Sequence, residues 1–232
     1  NFNNIYMYCV PRLEKTTTLT TRNNFLTSSQ KEIMLNRMTA TKCVTVEPII
    51  MDPVYVAISP GLRTVNEQLS VQQSNETKIL IVQDDTSRIN SSDITQKAAN
   101  VLQEYFSTTQ SKLGMFIDIT TISNNILNIP GVSTFYTYRP DLGNNYVEGL
   151  SLYLWNPVYS DIDIMQTSQN YNLPKFKFPF LFEPSNIISK ISVVRESDSM
   201  SVLRQSANNN QETIMLDSPI DSQSTSSINN GY

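Results

Sequence analysis

The chain has 232 residues, 39% hydrophobic and only 16% charged, with a net charge of −4 and no histidine. The missing histidine removes the commonest general base and metal ligand, and with it every Ser-His-Asp and Cys-His arrangement. The acidic balance argues against a surface that neutralises phosphates, so no nucleic-acid partner is expected, and no run approaches the ~18–20 apolar residues of a membrane span.

Residues 1–10 read as a strand. Thr16 to Thr21 is a polar, β-branched link. Ser29-Gln30-Lys31-Glu32 has the form of a capping box, in which the first side chain caps a backbone N–H and the last reaches back. Ile33, Met34 and Met38 follow, so a helix is expected over about 29–38. Val44 to Val46 and Val54 to Ile58 are β-branched runs. Pro48 and Pro53 interrupt them, and a residue without an N–H favours an edge position or a bend. Lys78 to Val82 is a strong strand.

Ile94, Ala98, Val101, Leu102 and Tyr105 recur at helical spacing after Ser92, which predicts a helix at about 92–107 capped by that serine. Ile119, Ile122, Ile126 and Ile129 predict a second at about 119–128. Pro130-Gly131 ends it, because Pro cannot continue the ladder and Gly accepts unusual backbone angles. Val132 to Tyr138 then reads as a strand, completing a helix–helix–stop–strand unit. Beyond 139, Leu150 to Trp155 and Ile187 to Arg195 read as strands, with a weaker one at 212–216. Residues 156–174 are irregular and polar. The segment 217–232 is Ser-rich, with the composition of disorder, and is expected to dock on its own fold or on a neighbouring chain. The four segments expected are an N-terminal piece (1–42), an α/β core (43–139), a β-rich region (140–216) and the tail (217–232). The first residue is Asn1 and opens directly into a strand-like run, so a fragment of a longer chain is expected.

Few residues suggest chemistry. Asp84 and Asp85 end a strand and with Asp93 offer oxygen ligands for a hard cation, but a D-x-D-x-D-G loop is absent and a solvated turn is the simpler reading. Asp161 and Asp163 share one face of an extended segment, a pattern more typical of solvent-facing charges than of a catalytic dyad. Cys9 and Cys43 are too few for a disulfide framework and read as free, partly buried thiols. The sequons at Asn75 and Asn90 arise easily in so Asn-rich a chain. No Gly-rich phosphate loop is present. Lys175-Phe176-Lys177-Phe178-Pro179-Phe180-Leu181-Phe182 interleaves cations with aromatics. It reads either as a core or edge strand, or as a protein contact built on Phe176, Phe178, Phe180 and Phe182, since aromatics are enriched in interface cores. Trp155 and Tyr153, with Tyr159 nearby, read as core packing or as part of a carbohydrate- or receptor-binding surface.

Val101-Leu102-Gln103-Glu104-Tyr105-Phe106, Leu113-Gly114, Ile117 to Ile129 and Pro130-Gly131-Val132 together resemble the signature stretch of baseplate J-like proteins. Val44 to Pro48 and Val54 to Ile58 resemble the paired strands that precede it. The resemblance covers about 43–138. It implies an α+β fold: a core of two helices packed on a mostly antiparallel sheet, followed here by a β-rich region that compact members lack. It also implies a structural, non-enzymatic subunit of a contractile phage tail baseplate. Such a subunit would form a homodimer or ring oligomer and contact other baseplate wedge proteins. It would need no cofactor, metal, nucleic acid or membrane, and would be assembled in the host cytoplasm into the virion. The competing expectations are a tail-associated carbohydrate- or receptor-binding module and a metal-assisted hydrolase using Asp84, Asp85 and Asp93.

Overall fold

The computed structural model describes residues 4–12, 25–39, 46–60, 78–139, 145–156 and 165–203. The expectations placed on 16–21, 44–45, 212–216 and the 217–232 tail lie outside the described residues. Within them the fold is mixed α/β, with helices packed on several mostly antiparallel sheets, an α+β architecture.

The first four-stranded sheet is centred on β4 (Ile79–Gln83), whose five side chains are all buried. On one side of it lies β6 (Val132–Arg139), antiparallel, followed by β7 (Asn145–Glu148). On the other side lies β12 (Ile191–Arg195), which is parallel to β4. Two helices cover this sheet. In α2 (Ser91–Tyr105) the buried residues are Ile94, Ala98, Ala99 and Leu102, the stripe that three- and four-residue steps produce. In α3 (Ile119–Leu127) they are Ile119, Ile122 and Ile126.

A second four-stranded sheet has the order β11-β3-β8-β9: β11 (Lys177–Leu181), β3 (Val54–Pro60), β8 (Leu152–Trp155) and β9 (Met165–Thr167). Here too one pairing, β11 with β3, is parallel and the rest antiparallel. Both sheets draw strands from either side of residue 139. One apolar core joins them: Val56, Ile58, Leu152, Leu154 and Leu181 of the second sheet meet Ile79, Ile81 and Phe135 of the first and the inner faces of α2 and α3. The opposite face of the second sheet carries Tyr55, Ala57, Tyr153, Trp155, Phe178 and Phe180, a separate aromatic core.

An N-terminal layer completes the fold. β1 (Asn4–Tyr8) and β2 (Glu47–Met51) form a two-stranded parallel pair. Helix α1 (Ser28–Thr39) packs on β2, with Lys31 Nζ 2.6 Å from Asp52 Oδ2. Short strands β5 (Phe116–Ile117) and β10 (Tyr171–Asn172) pair antiparallel. Residues 196–203 form α4, the last helix among the described residues.

Several local expectations shift. The reciprocal cap of α1 is made by Thr27 and Gln30, two residues before the expected box: the Thr27 N–H donates to Gln30 Oε1 (2.9 Å) and the Gln30 N–H to Thr27 Oγ1 (3.2 Å). The N-cap of α2 is Asn90 rather than Ser92, and its side chain makes no capping bond. α3 is capped by Asp118, which accepts from the Thr121 N–H at 3.0 Å. The expected strand from Ile187 begins only at Ile191. Two 3-10 turns, Pro184–Asn186 and Ile188–Lys190, precede it, and Ile187 plugs the core as a turn residue. Gln103 Nε2 fixes those turns by donating to the Pro184 carbonyl at 2.7 Å.

The prolines follow hydrogen-bond parity. The Phe182 N–H donates to the Ile58 carbonyl across β11 and β3. Main-chain groups alternate direction along a strand, so Pro179 directs its missing N–H away from β3 and the edge strand tolerates it. The same alternation, set by the Cys9 N–H donating to the Met51 carbonyl, turns Pro48 of β2 away from β1. Of the two positions expected for Pro53, an edge or a bend, the bend is found: Pro53 lies in the break between β2 and β3, one residue before β3 begins, so β3 itself can be internal.

Candidate functional site

The acidic residues at the end of β4 are committed to building a turn. Asp84 Oδ1 accepts from the Thr86 N–H and hydroxyl, both at 2.7 Å. The Thr86 hydroxyl and then its backbone N–H hold the Asp84 carboxyl below its ordinary range. The Asp85 carboxylate accepts from the Ser197 N–H and hydroxyl, each at 3.2 Å, at the start of α4. Arg195, the last residue of β12, donates through Nη1 to the carbonyls of Ser87 (2.9 Å) and Asp84 (3.0 Å). Inside the turn, Gln83 is almost fully buried and donates from Nε2 to the Ile89 carbonyl at 2.7 Å.

Asp93 stands exposed in the first turn of α2. Among the described residues no three His, Cys, Asp or Glu side chains come together as a metal site would need. The hydrolase expectation therefore has no converging groups behind it. Asp161, Asp163, Tyr159 and Cys43 lie outside the described residues; Cys9 is a half-buried free thiol.

The stretch that carried the family resemblance has backbone reasons for its glycines. Gly114 (φ +64°) lies in the link between α2 and α3, and a Cβ there would sit 2.9 Å from the Lys175 Cα. Its N–H donates to the Lys177 carbonyl at 2.9 Å, tying the link to β11. Gly131 (φ +89°) follows α3, and a Cβ there would come within 3.0 Å of the Ser87 hydroxyl. Its carbonyl accepts from the Asp84 N–H at 3.0 Å. Tyr105 joins the two helices: its hydroxyl accepts from the Asp118 N–H at 2.7 Å. Burial raises the pKa of that phenol.

The aromatic segment divides. Phe178 and Phe180 are buried, with Tyr55 edge-on to both at centroid distances of 5.7 and 6.4 Å. Phe182 is half-buried and packs 5.1 Å from Trp155. Only Phe176 keeps a sizeable exposed surface, 36%. Trp155 and Tyr153 are buried at 7% and 2% exposure, which places them in the core rather than on an open sugar-binding face. Beside Trp155, a cleft of about 150 Å³ is lined by Val56, Leu154, Met165, Tyr171 and Lys177, smaller than the ~300–1,000 Å³ of typical ligand pockets. A shallower depression of about 360 Å³ lies between Val10, Thr108, Ser111, Leu113 and Phe178. The Ser111 hydroxyl there is buried without a hydrogen-bond partner among the described residues.

One surface was not read from the sequence. Ile5, Tyr6, Tyr8, Met51 and Phe176 are exposed at 51%, 58%, 36%, 37% and 36%. Four of them are contiguous: Tyr6 shares a strand face with Tyr8, which stands opposite Met51 in the β1–β2 ladder and whose ring lies 5.6 Å from that of Phe176, while Ile5 points to the other face. The available signal was the uncharged run from Asn4 to Val10. No helix among the described residues is long and apolar enough to cross a membrane.

No protein-family model matches the chain. No curated protein matches it either.

Proposed function

We propose that the chain is a structural subunit of a contractile phage tail baseplate, working through contacts with copies of itself and with other wedge proteins. The observation that carries this reading is the unit over 91–139: α2, a link pinned at Gly114, α3, a stop at Gly131 and then β6, all mounted on one sheet. That order is the one in the baseplate J-like signature resembled by the sequence. The polar second half is similar to the wedge subunit of the T-even inner baseplate ring, and the reading extends to that role: assembly into a ring that rearranges on contraction, in the virion.

The chemistry supports a scaffold. The turn that could have held a cation is spent on fold-internal hydrogen bonds, as described above. Surfaces built from Asn, Ser, Thr and Gln suit contacts that must rearrange, since breaking them strands no buried unpaired charge. Catalysis, a cofactor and a nucleic-acid partner form no part of the proposal. The test is co-purification and light scattering with purified baseplate wedge proteins. The expected result is a complex heavier than either partner. A strict monomer at high concentration with no affinity for any wedge protein overturns the reading.

A further inference from the structure

We infer that β1 is an assembly edge whose occupant is β1 of a second copy, paired antiparallel about a two-fold axis at Tyr6. The joined sheet would have the strand order β2-β1-β1-β2. The inference rests on the assembly reading above for the expectation of self-association, and adds the surface and its register.

β1 is the outer strand of its pair. Among the described residues β1 and β2 pair only with each other. Two strands are marginal alone and gain stability from a helix or a further strand; α1 supplies the helix on the β2 side, and the parallel pairing, slightly weaker than an antiparallel one, leaves the β1 side able to gain from a further strand. Neighbouring residues point to opposite faces of a strand, yet Ile5 and Tyr6 are both more than half exposed. β1 is therefore uncovered on both faces near its start.

Among the described residues the edge also lacks protection. Proteins block free strand edges with charge, proline or bulges. Asn4-Ile5-Tyr6-Met7-Tyr8 has no charge and no proline, and its register against β2 is unbroken. A neutral strand meets a copy of itself without repulsion and offers no counter-charge to select an acidic or basic partner.

Parity fixes the register. The Cys9 N–H donates to the Met51 carbonyl at 3.2 Å, so residue 9 turns its main chain toward β2. By alternation Met7 and Ile5 do the same, and Asn4, Tyr6 and Tyr8 turn theirs outward. An antiparallel copy centred on Tyr6 then makes three mutually hydrogen-bonded pairs: Tyr6 with Tyr6, Asn4 with Tyr8, and Tyr8 with Asn4. A slip by one residue would set outward groups against inward ones.

The side-chain area is small, so the main-chain pairs carry the contact and the dimer is a weak, concentration-dependent one. At about 200 Å² per large side chain, the exposures of Tyr6, Tyr8, Met51 and Phe176, which share a face, amount to at most roughly 350 Å² per copy, under half of the ~800 Å² that each partner buries in a standard interface.

The experiment is light scattering of the whole chain over a wide concentration range, with two sets of variants. Tyr6→Lys places like charges together at the two-fold and is expected to weaken dimerisation at least tenfold, with unchanged circular dichroism and melting. In a Cys9→Ser, Cys43→Ser background, Tyr6→Cys is expected to give a disulfide-linked dimer under mild oxidation. Asn4→Cys alone is expected to give none, but to cross-link when mixed with Tyr8→Cys. The cysteine set decides the matter if Tyr6→Lys does not fold. A wild-type chain that stays monomeric overturns the inference. So does a dimer that is indifferent to Tyr6→Lys, or one that fails to cross-link at Tyr6. Binding to wedge proteins is measured separately, so the scaffold reading stands or falls on its own result.

Discussion

Replacing Gly131 by Ala probes the stop between α3 and β6, where the family resemblance and the fold meet. At φ +89° an L side chain crowds its own carbonyl, which costs about 1–2 kcal/mol. The new Cβ also intrudes on the Ser87 hydroxyl. That oxygen accepts long hydrogen bonds from Gln83 Nε2 and the Ile89 N–H, each at 3.3 Å. Displacing it adds about 0.5–1.5 kcal/mol. The expected loss is therefore about 1.5–3.5 kcal/mol. Urea unfolding followed by circular dichroism measures it: with a slope of about 2 kcal/mol/M, the midpoint falls by roughly 1 M at unchanged slope. Adding Ser87→Gly should recover the steric share and leave the backbone share, a coupling of about 0.5–1.5 kcal/mol. A midpoint shift under ~0.3 M would show that neither the positive φ nor the Ser87 contact requires glycine here, and a Ser87→Gly background that recovers nothing would show that the Ser87 contact does not.

Phe178→Ala is expected to destabilise folding by about 3–5 kcal/mol, as deletion of a buried ring does, whereas Phe176→Ala should cost under ~1 kcal/mol in folding and weaken assembly by more than ~1 kcal/mol. Denaturant midpoints and light scattering separate the two, and equal folding losses would contradict the division of the segment. Arg195→Ala removes charge-assisted bonds to the 84–87 turn, expected to cost about 1.5–3 kcal/mol. Amide exchange should quicken both there and over 196–203; an unchanged rate at either place would show that the turn does not hold α4. The Asp118 carboxyl is held below its ordinary pKa by the Thr121 N–H and then the Thr121 hydroxyl. Its contribution is thus complete above the unfolded-state value of about 4 and is lost as pH falls through the lower folded value. Asp118→Asn should flatten that part of the midpoint-against-pH curve, and an unaltered acid limb would show that the charge does not matter.

What the sequence revealed and what it concealed have physical causes. α2, α3, β4 and β6 were legible because a buried stripe repeats with its element: Ile94–Ala98–Leu102 and Ile119–Ile122–Ile126 at helical steps, Ile79–Val82 as an unbroken run. β7, β9 and β10 escaped because they are two to four residues long and show no period. The parallel pairings of β12 and β11 were illegible, since periodicity tells nothing of strand direction. Caps shifted because Thr27, Ser29, Asn90 and Ser92 are alike in chemistry, and chain entry angle chooses among them. Asp84 and Asp85 looked like ligands because their partners, Thr86 Oγ1 and Ser197, are satisfied only through the turn geometry and a contact from over a hundred residues away. The β1 edge was missed because exposure, not composition, marks it.

If the chain is part of a contractile tail, as proposed, a reconstruction of intact tail particles will show it. Density for the two-sheet unit of β3, β4, α2, α3 and β6 is expected in the baseplate ring, in contact with neighbouring wedge proteins. Tail particles that are complete and contractile without this chain would contradict the proposal.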